Sequence, residues 1–405
     1  MITEDGSPPE ATPAGCARPG AAPAGTSSMA CSDSTGRGDA KFPRLVLFGA
    51  FDRHNFGDLL LAHCAAARHR EREPLFAGLA ARDLTAFGGH RVEPLGKVLE
   101  SLRDEVVELV HVGGEVLTTT AWEAAVMLRS SADAAAAIAA YERDPDARRD
   151  WAARTLRSGR RVPYVIDRNL LPSGWTVHFD AIGGVVLDTL SPDERAEVFR
   201  ALKSAASVSV RDRRTAEALR EAGIRADLVR DPAAATAALL GDAIAARART
   251  GEVAALSARM PDWIALQLAA DHGDDASLDR LAQALHERAT LRDCGVVLFR
   301  AGLAPWHDDR DTLERLSRRL TGRPVAILES AHLLDICALL ARARAYLGTS
   351  LHGWIVADSF AVPACCLVRG ARDKAAAYVD TWSPRPRKWR TLNDAELLPP
   401  PAASR

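Results

Sequence analysis

The feature that most limits how this chain can fold is an alternation, run twice, of short apolar stretches with longer Ala-rich stretches of helical character. Leu45 to Gly49 opens the first series as a buried strand, followed by a loop holding Asn and Gly and a helix over 59–70. Strands are expected at 106–112, 162–166 and 207–210, separated by helices over 121–141, 146–158, 191–204 and 213–222. The Ala- and Arg-rich stretch 241–260 has no strand pattern, and Pro261 ends it. A second series then runs strand 263–268, helix 277–289, strand 295–299, helix 309–320, strand 325–328, helix 332–341, strand 343–347, helix 354–360 and strand 364–368. Strands separated by helices pair in parallel and are covered on both faces, so the expectation is an α/β protein of two units sharing a cleft. The boundaries are a leader over 1–43, a first domain over 44–240, a linker over 241–261, a second domain over 262–380, and a tail over 381–405 that crosses back over the first domain.

Composition removes several function classes. A length of 405 residues with 47% hydrophobic content supports a sizeable core, and a net charge of -1 offers no general attraction to nucleic acid or an anionic membrane. Any site for a polyanion must be local. Only five residues are Lys (41, 97, 203, 374 and 388), the other basic residues being Arg, a bias that reads as a GC-rich, bacterial genome. Seven Cys with no CxxC spacing fit a reduced, cytoplasmic protein, with peripheral association to the inner membrane face left open. The first forty residues, rich in Pro, Gly, Ala and Ser, read as a disordered leader without a secretion signal, and Met29 is an alternative start. No stretch reads as a transmembrane helix. His63, His69, His286, His307 and His332 lack partners at metal-ligand spacing, so neither a metal nor a cofactor is expected.

Chemistry concentrates where strands end. Gly348-Thr349-Ser350-Leu351-His352-Gly353 sets an imidazole at a strand-to-helix switch, with Ser350 suited to cap the helix and His352 in its first turn. Free backbone N–H groups there would favour an anion beside the imidazole. The loop Gly49 to Asp58 follows a strand and opens a helix but lacks GxGxxG spacing, which argues against a dehydrogenase. Asp58 in it is either a helix cap or a site residue. Gly113-Gly114 ends another strand, where backbone can approach a ligand closely. Ser209-Val210-Arg211-Asp212 presents Arg211 as a bidentate donor for carboxylate or phosphate, with Asp212 to orient it, or else as an exposed ion pair.

Taken in order, Asn55-Phe56-Gly57-Asp58, Gly113-Gly114, Ser209-Val210-Arg211-Asp212, Asp231-Pro232-Ala233 and Leu351-His352-Gly353 resemble the polysaccharide pyruvyltransferase family over roughly residues 44–380. The resemblance implies a GT-B-like fold of two facing Rossmann-like domains, the first on the acceptor side and the second on the donor side. It implies transfer of pyruvate from phosphoenolpyruvate to hydroxyls of a saccharide or lipid-linked glycan, commonly as a ketal. In that reading His352 is the general acid and Asp58 a base or sugar-positioning group. Arg211, Lys374, Ser350 and Arg300 bind the donor, and Asn55, Asp58, Gly113 and Gly114 meet the acceptor. Ser350 stands where many members carry Arg, and Arg300, Arg369 or Arg372 would have to supply that charge. A nucleotide-sugar glycosyltransferase and a non-catalytic saccharide-binding relative remain as alternatives, and a homo-oligomer stays open.

Overall fold

Strands that are apolar on both faces must be covered twice, and the first of them, β1 (Arg44–Phe48), buries all but its leading Arg. The structure is a computed structural model that describes residues 42–287, 294–383, 388–394 and 397, so the leader is outside it apart from its last two residues. The first sheet contains β1, β2 (Leu75–Gly78), β3 (Arg82–Asp83), β4 (Arg91–Pro94), β5 (Val107–Val112), β6 (Trp175–Ile182), β7 (Ser207–Val210) and β8 (Asp227–Leu228), in the spatial order β3-β4-β2-β1-β5-β6-β7-β8. The second contains β9 (Trp263–Gln267), β10 (Gly295–Leu298), β11 (Val325–Ile327), β12 (Ala345–Gly348), β13 (Ala364–Leu367) and β14 (Trp389–Arg390), ordered β11-β10-β9-β12-β13-β14. All pairings are parallel except β3 with β4. The order reverses between β1 and β5, and again between β9 and β12. Ligands of open parallel sheets bind at such reversals, beyond the carboxyl ends of the strands.

Helices of the two halves pack together at the base of the cleft. Leu59 and Leu60 of the helix Phe56–Arg68 share one apolar cluster with Ile336 and Leu340 of Leu333–Arg342 and Ile355 of Leu351–Ser359. Each such side chain contributes roughly 1.5–3 kcal/mol when fully buried, so the halves meet on a true core. The 241–261 stretch lies mostly in two helices, Thr236–Arg247 and Gly251–Arg259, whose Ile244, Val253 and Leu256 enter that cluster. From the end of the helix Lys374–Trp382, Trp382 Nε1 donates to the Arg211 carbonyl in the first half (2.7 Å). The chain then returns as β14 on the edge of the second sheet, so the crossing falls at Trp382 and the described part of the tail belongs with the second half.

Two local expectations fail, and one strand goes unforeseen, for physical reasons. Val162 to Ile166 is buried but not a strand: Pro163 has no N–H to give a ladder, and Val165 N instead turns back to the Val162 carbonyl. The strand is β6, whose alternating burial is masked in the sequence by His178 and Asp180 on its less buried face. The helix expected over 121–141 breaks at Ser130, which caps a new helix, Ser131–Tyr141.

Candidate active site

The two strand-order reversals face each other, and the five motifs meet there. Ser350 is the N-cap of Leu351–Ser359, its hydroxyl accepting from Gly353 N (3.2 Å), and Gln267 Oε1 accepts from Ser350 N (2.8 Å). This fixes His352 in the first turn with its side chain 12% exposed. Its ring lies against Gly57: a methyl group there would sit 1.8 Å from Nδ1. Nε2 is 3.4 Å from Asp231 Oδ2, at ion-pair distance without hydrogen-bond alignment.

Asp231 is the hub. Fully buried, it accepts from Ala233 N (2.9 Å) and from Arg211 Nη1 (3.0 Å). Burial alone would raise its carboxyl, but the His352 ring, Arg211 and the Ala233 N–H outweigh that and hold it well below the usual carboxylate range. Arg211 Nη2 donates to Glu115 Oε2 (2.8 Å), and Glu115 Oε1 accepts from Val185 N (2.7 Å). Burial would release the Arg211 proton, yet Glu115 and Asp231 push its pKa up, so the guanidinium stays charged. A side chain at Gly183 would fall 2.3 Å from Glu115 Oε2. The result is a largely buried line of ionisable groups, Glu115, Arg211, Asp231, His352.

This arrangement corrects the donor reading of Arg211. It is neither an exposed ion pair nor a free clamp, since both terminal nitrogens are taken by carboxylates. Nor does Asp212 orient it: Asp212 caps the helix Arg213–Glu221 through Thr215. Asp231 is visible in the sequence only as part of a motif and Glu115 only as a neighbour of the glycines; the signal for both is an acid at the third position after a strand.

On the opposite wall, Asn55 rather than Asp58 caps the first helix, Oδ1 accepting from Gly57 N (2.9 Å) and Asp58 N (3.3 Å). Its Nδ2 lies 2.6 Å from His307 Nε2. Asn55 is thus engaged at both ends and has little left for an acceptor. Asp58, released from capping, lies 3.8 Å from Arg53 Nη2. Gly114 (φ 74°) passes beneath it, where a methyl group would be 3.2 Å from Asp58 Oδ1, and Gly113 (φ 48°) also needs the left-handed region. Arg53 donates to the Tyr164 hydroxyl (2.8 Å), which donates to buried Asp52 (2.7 Å). His307, which has no partner at metal-ligand spacing in the sequence, has a structural role here. Burial first, then the charges of Arg53 and Lys374, lower its pKa to about 4 against the opposing Pro305 carbonyl and Asp58. Its Nδ1, 3.0 Å from the Pro305 carbonyl, must be the N–H, leaving Nε2 to accept from Asn55.

Exposed cations gather beside this centre. Lys374 opens the helix Lys374–Trp382, and with Arg369, Arg372, Val185, Val186 and Glu115 it borders a cavity of about 580 Å³. Arg369 pairs with Asp271 (2.8 Å) and Arg372 with Asp188, both on the surface. Arg300 lies at the end of β10, its charge facing His54 and Asp308. Among the described residues no group of His, Cys, Asp and Glu could hold a metal ion.

A family model described as polysaccharide pyruvyl transferase matches residues 162–370, just over half of the chain, taking in Arg211, Asp231 and His352. No curated protein matches. Among solved structures, the UDP-GlcNAc 2-epimerase from Methanocaldococcus jannaschii is similar with a TM-score of 0.51 at 14% identity, over 86% of this chain and 88% of that one. The UDP-N-acetylglucosamine 2-epimerase from Rickettsia bellii gives a TM-score of 0.47 at 11% identity, over 80% of this chain and 79% of its own. At such identity the first of these bears on the fold alone, which is GT-B-like.

Proposed function

The chain belongs to the polysaccharide pyruvyl transferase family, and we propose that it moves a pyruvyl group from phosphoenolpyruvate to two hydroxyls of one sugar in a saccharide acceptor, closing a ketal. The observation that carries this reading is the His352–Asp231–Arg211–Glu115 line beside a cavity bordered by Lys374, Arg369 and Arg372. Phosphoenolpyruvate is small, carries a carboxylate and a phosphate, and needs a proton donor at its vinyl carbon.

In the first step His352 delivers a proton to C3 of the donor, and a sugar hydroxyl, losing its proton toward Asp58, forms a C–O bond to C2. The C2–O bond to phosphate then breaks. A second hydroxyl of the same sugar adds to C2 and its proton leaves with the phosphate. Of the two hydroxyl protons, one thus balances the hydrogen gained at C3 and the other departs on phosphate. Asp231 lies 3.4 Å from Nε2, leaving Nδ1, beside Gly57, as the nitrogen that turns to substrate. General acid catalysis of this kind contributes roughly a hundred- to ten-thousand-fold. Lys374 receives the donor anion, a charge-assisted bond contributing roughly 1.5–3 kcal/mol.

Calorimetric titration of phosphoenolpyruvate and of a nucleotide-sugar panel into wild type and Lys374→Gln tests the donor. Binding of phosphoenolpyruvate weakened by the substitution is expected; binding of nucleotide-sugars instead would transfer the reading to a glycosyltransferase.

A further inference from the structure

One exposed aromatic stands at the rim of the cleft with no part in the centre described above. Trp306 is 46% exposed and has a backbone φ of 65°, a region that side chains other than Gly rarely adopt. The loop carrying it is firmly held. His307 Nε2 meets Asn55, Leu303 N donates to the His54 carbonyl (3.1 Å), Ala270 N to the His307 carbonyl (2.9 Å), and Gln267 Nε2 to Asp308 (2.8 Å). The fold therefore fixes a strained, solvent-facing indole that contributes little to the core. Its ring centre lies 6.3 Å from that of Trp122, which comes from the first half, in the helix Ala121–Met127 that follows the Gly113-Gly114 loop. Trp122 continues to Trp151 (5.2 Å) and Trp151 to Tyr141 (6.0 Å), all part-exposed. These four rings, tilted 57°, 67° and 30° to one another in that order, form an aromatic ridge that joins the two halves.

We propose that Trp306, with Trp122 beside it, is the platform on which a pyranose ring of the acceptor stacks, and that the ridge beyond accommodates further sugars of an oligosaccharide. This rests on the pyruvyl-transfer reading and assigns its acceptor subsite. The apolar C–H face of a pyranose is matched by the electron-rich face of indole. A pre-set platform loses little entropy on binding, and backbone strain gathers at functional sites. His307, next to Trp306 in the chain, meets Asn55 at the start of the helix that carries Asp58.

The test is saturation-transfer NMR, irradiating the aromatic protons, with uncharged trisaccharides ending in glucose, galactose, mannose or N-acetylglucosamine, on wild type, Trp306→Ala and Trp306→Phe. Phosphoenolpyruvate affinity is measured in parallel by calorimetry. At least one sugar is expected to receive saturation on one ring face in wild type. Its affinity should fall roughly tenfold in Trp306→Ala and be largely restored in Trp306→Phe, with donor affinity unchanged. Unaltered sugar binding in Trp306→Ala overturns the platform and leaves the donor reading intact, as does a wild type that binds donor but no sugar. A wild type that binds neither overturns both. Unaltered sugar binding together with a lower oligomeric state for Trp306→Ala would mark the indole as a contact between copies of the chain, and would also overturn the proposal.

Discussion

Gly57→Ala isolates the position of His352 without touching any ionisable group. The added methyl would sit 1.8 Å from Nδ1 and 2.5 Å from Cγ of the ring, whereas non-bonded heavy atoms settle at roughly 3.5 Å. The ring, or the loop, must therefore shift by about 1.5 Å, more than the 3.4 Å contact of Nε2 with Asp231 can absorb. Overpacking of this kind costs about 1–3 kcal/mol of stability, and misplacing a reacting group by about 1 Å costs about a hundredfold in rate. Gly96→Ala is the control: nothing lies within 4 Å of the new methyl, and the residue sits in the helix Leu95–Ser101. It should gain roughly 0.5–1 kcal/mol and keep full activity. The assay pairs phosphate release from phosphoenolpyruvate, in the presence of saccharide acceptor, with urea unfolding and imidazole NMR shifts. If Gly57→Ala kept wild-type turnover while the His352 resonances moved, ring placement would not matter and the reasoning would be wrong.

Three further outcomes follow from the same geometry. Arg211→Gln leaves Glu115 and Asp231 buried without their cation and should cost about 3–5 kcal/mol in urea unfolding; Arg211→Lys, which cannot serve two carboxylates with one fork, should not restore it. Lys374→Gln, at an exposed helix start, should leave stability unchanged and weaken phosphoenolpyruvate binding roughly tenfold or more, read by calorimetry. Burial pushes His111 and His90 down to about 3, and burial with Arg53 and Lys374 pushes His307 to about 4. The unfolded chain then takes up their protons near pH 6.5 while the folded one does not, so stability should fall as pH drops from about 6.5 toward 3. For fully buried His111 the ceiling is about 5 kcal/mol. Asp308, pushed up to about 7 by burial, acts in the opposite direction, as do Asp52, Asp212 and Asp373, but His54, His63 and His332 are lowered too, so among the described residues six histidines stand against four carboxyls. A urea midpoint flat over that range would contradict the burial argument.

How much of this was legible beforehand depended on how local each signal was. β1, β5, β7 and most elements of the second half announce themselves by apolar runs bounded by turn residues. β6 does not, because its polar alternation looks like a surface strand, while the buried run 162–166 beside it is a loop held by His111 Nε2 accepting from Ile166 N (3.1 Å). The motifs around Asn55, Gly113, Arg211, Asp231 and His352 could be found in order, but their wiring could not. That Arg211 turns inward depends on Glu115, 96 residues away, and on Asp231. That His307 latches the loop of Asn55, 252 residues away, is likewise a contact between segments far apart in the chain, whereas the choice of Asn55 over Asp58 as cap is local, between two residues that both suit the position. Pairwise geometry of this kind leaves no periodicity to read.

The central claim is that this centre transfers pyruvate from phosphoenolpyruvate, with His352 supplying the proton. The most direct measurement is incubation of the protein with carbon-14-labelled phosphoenolpyruvate and a mixed oligosaccharide acceptor, following label in the saccharide fraction and inorganic phosphate together, for wild type and His352→Ala. The account predicts acid-labile label in the saccharide in equal amount to phosphate released, with both reduced at least a hundredfold in the variant. Phosphate release without label in the saccharide, or transfer undiminished in His352→Ala, would contradict it.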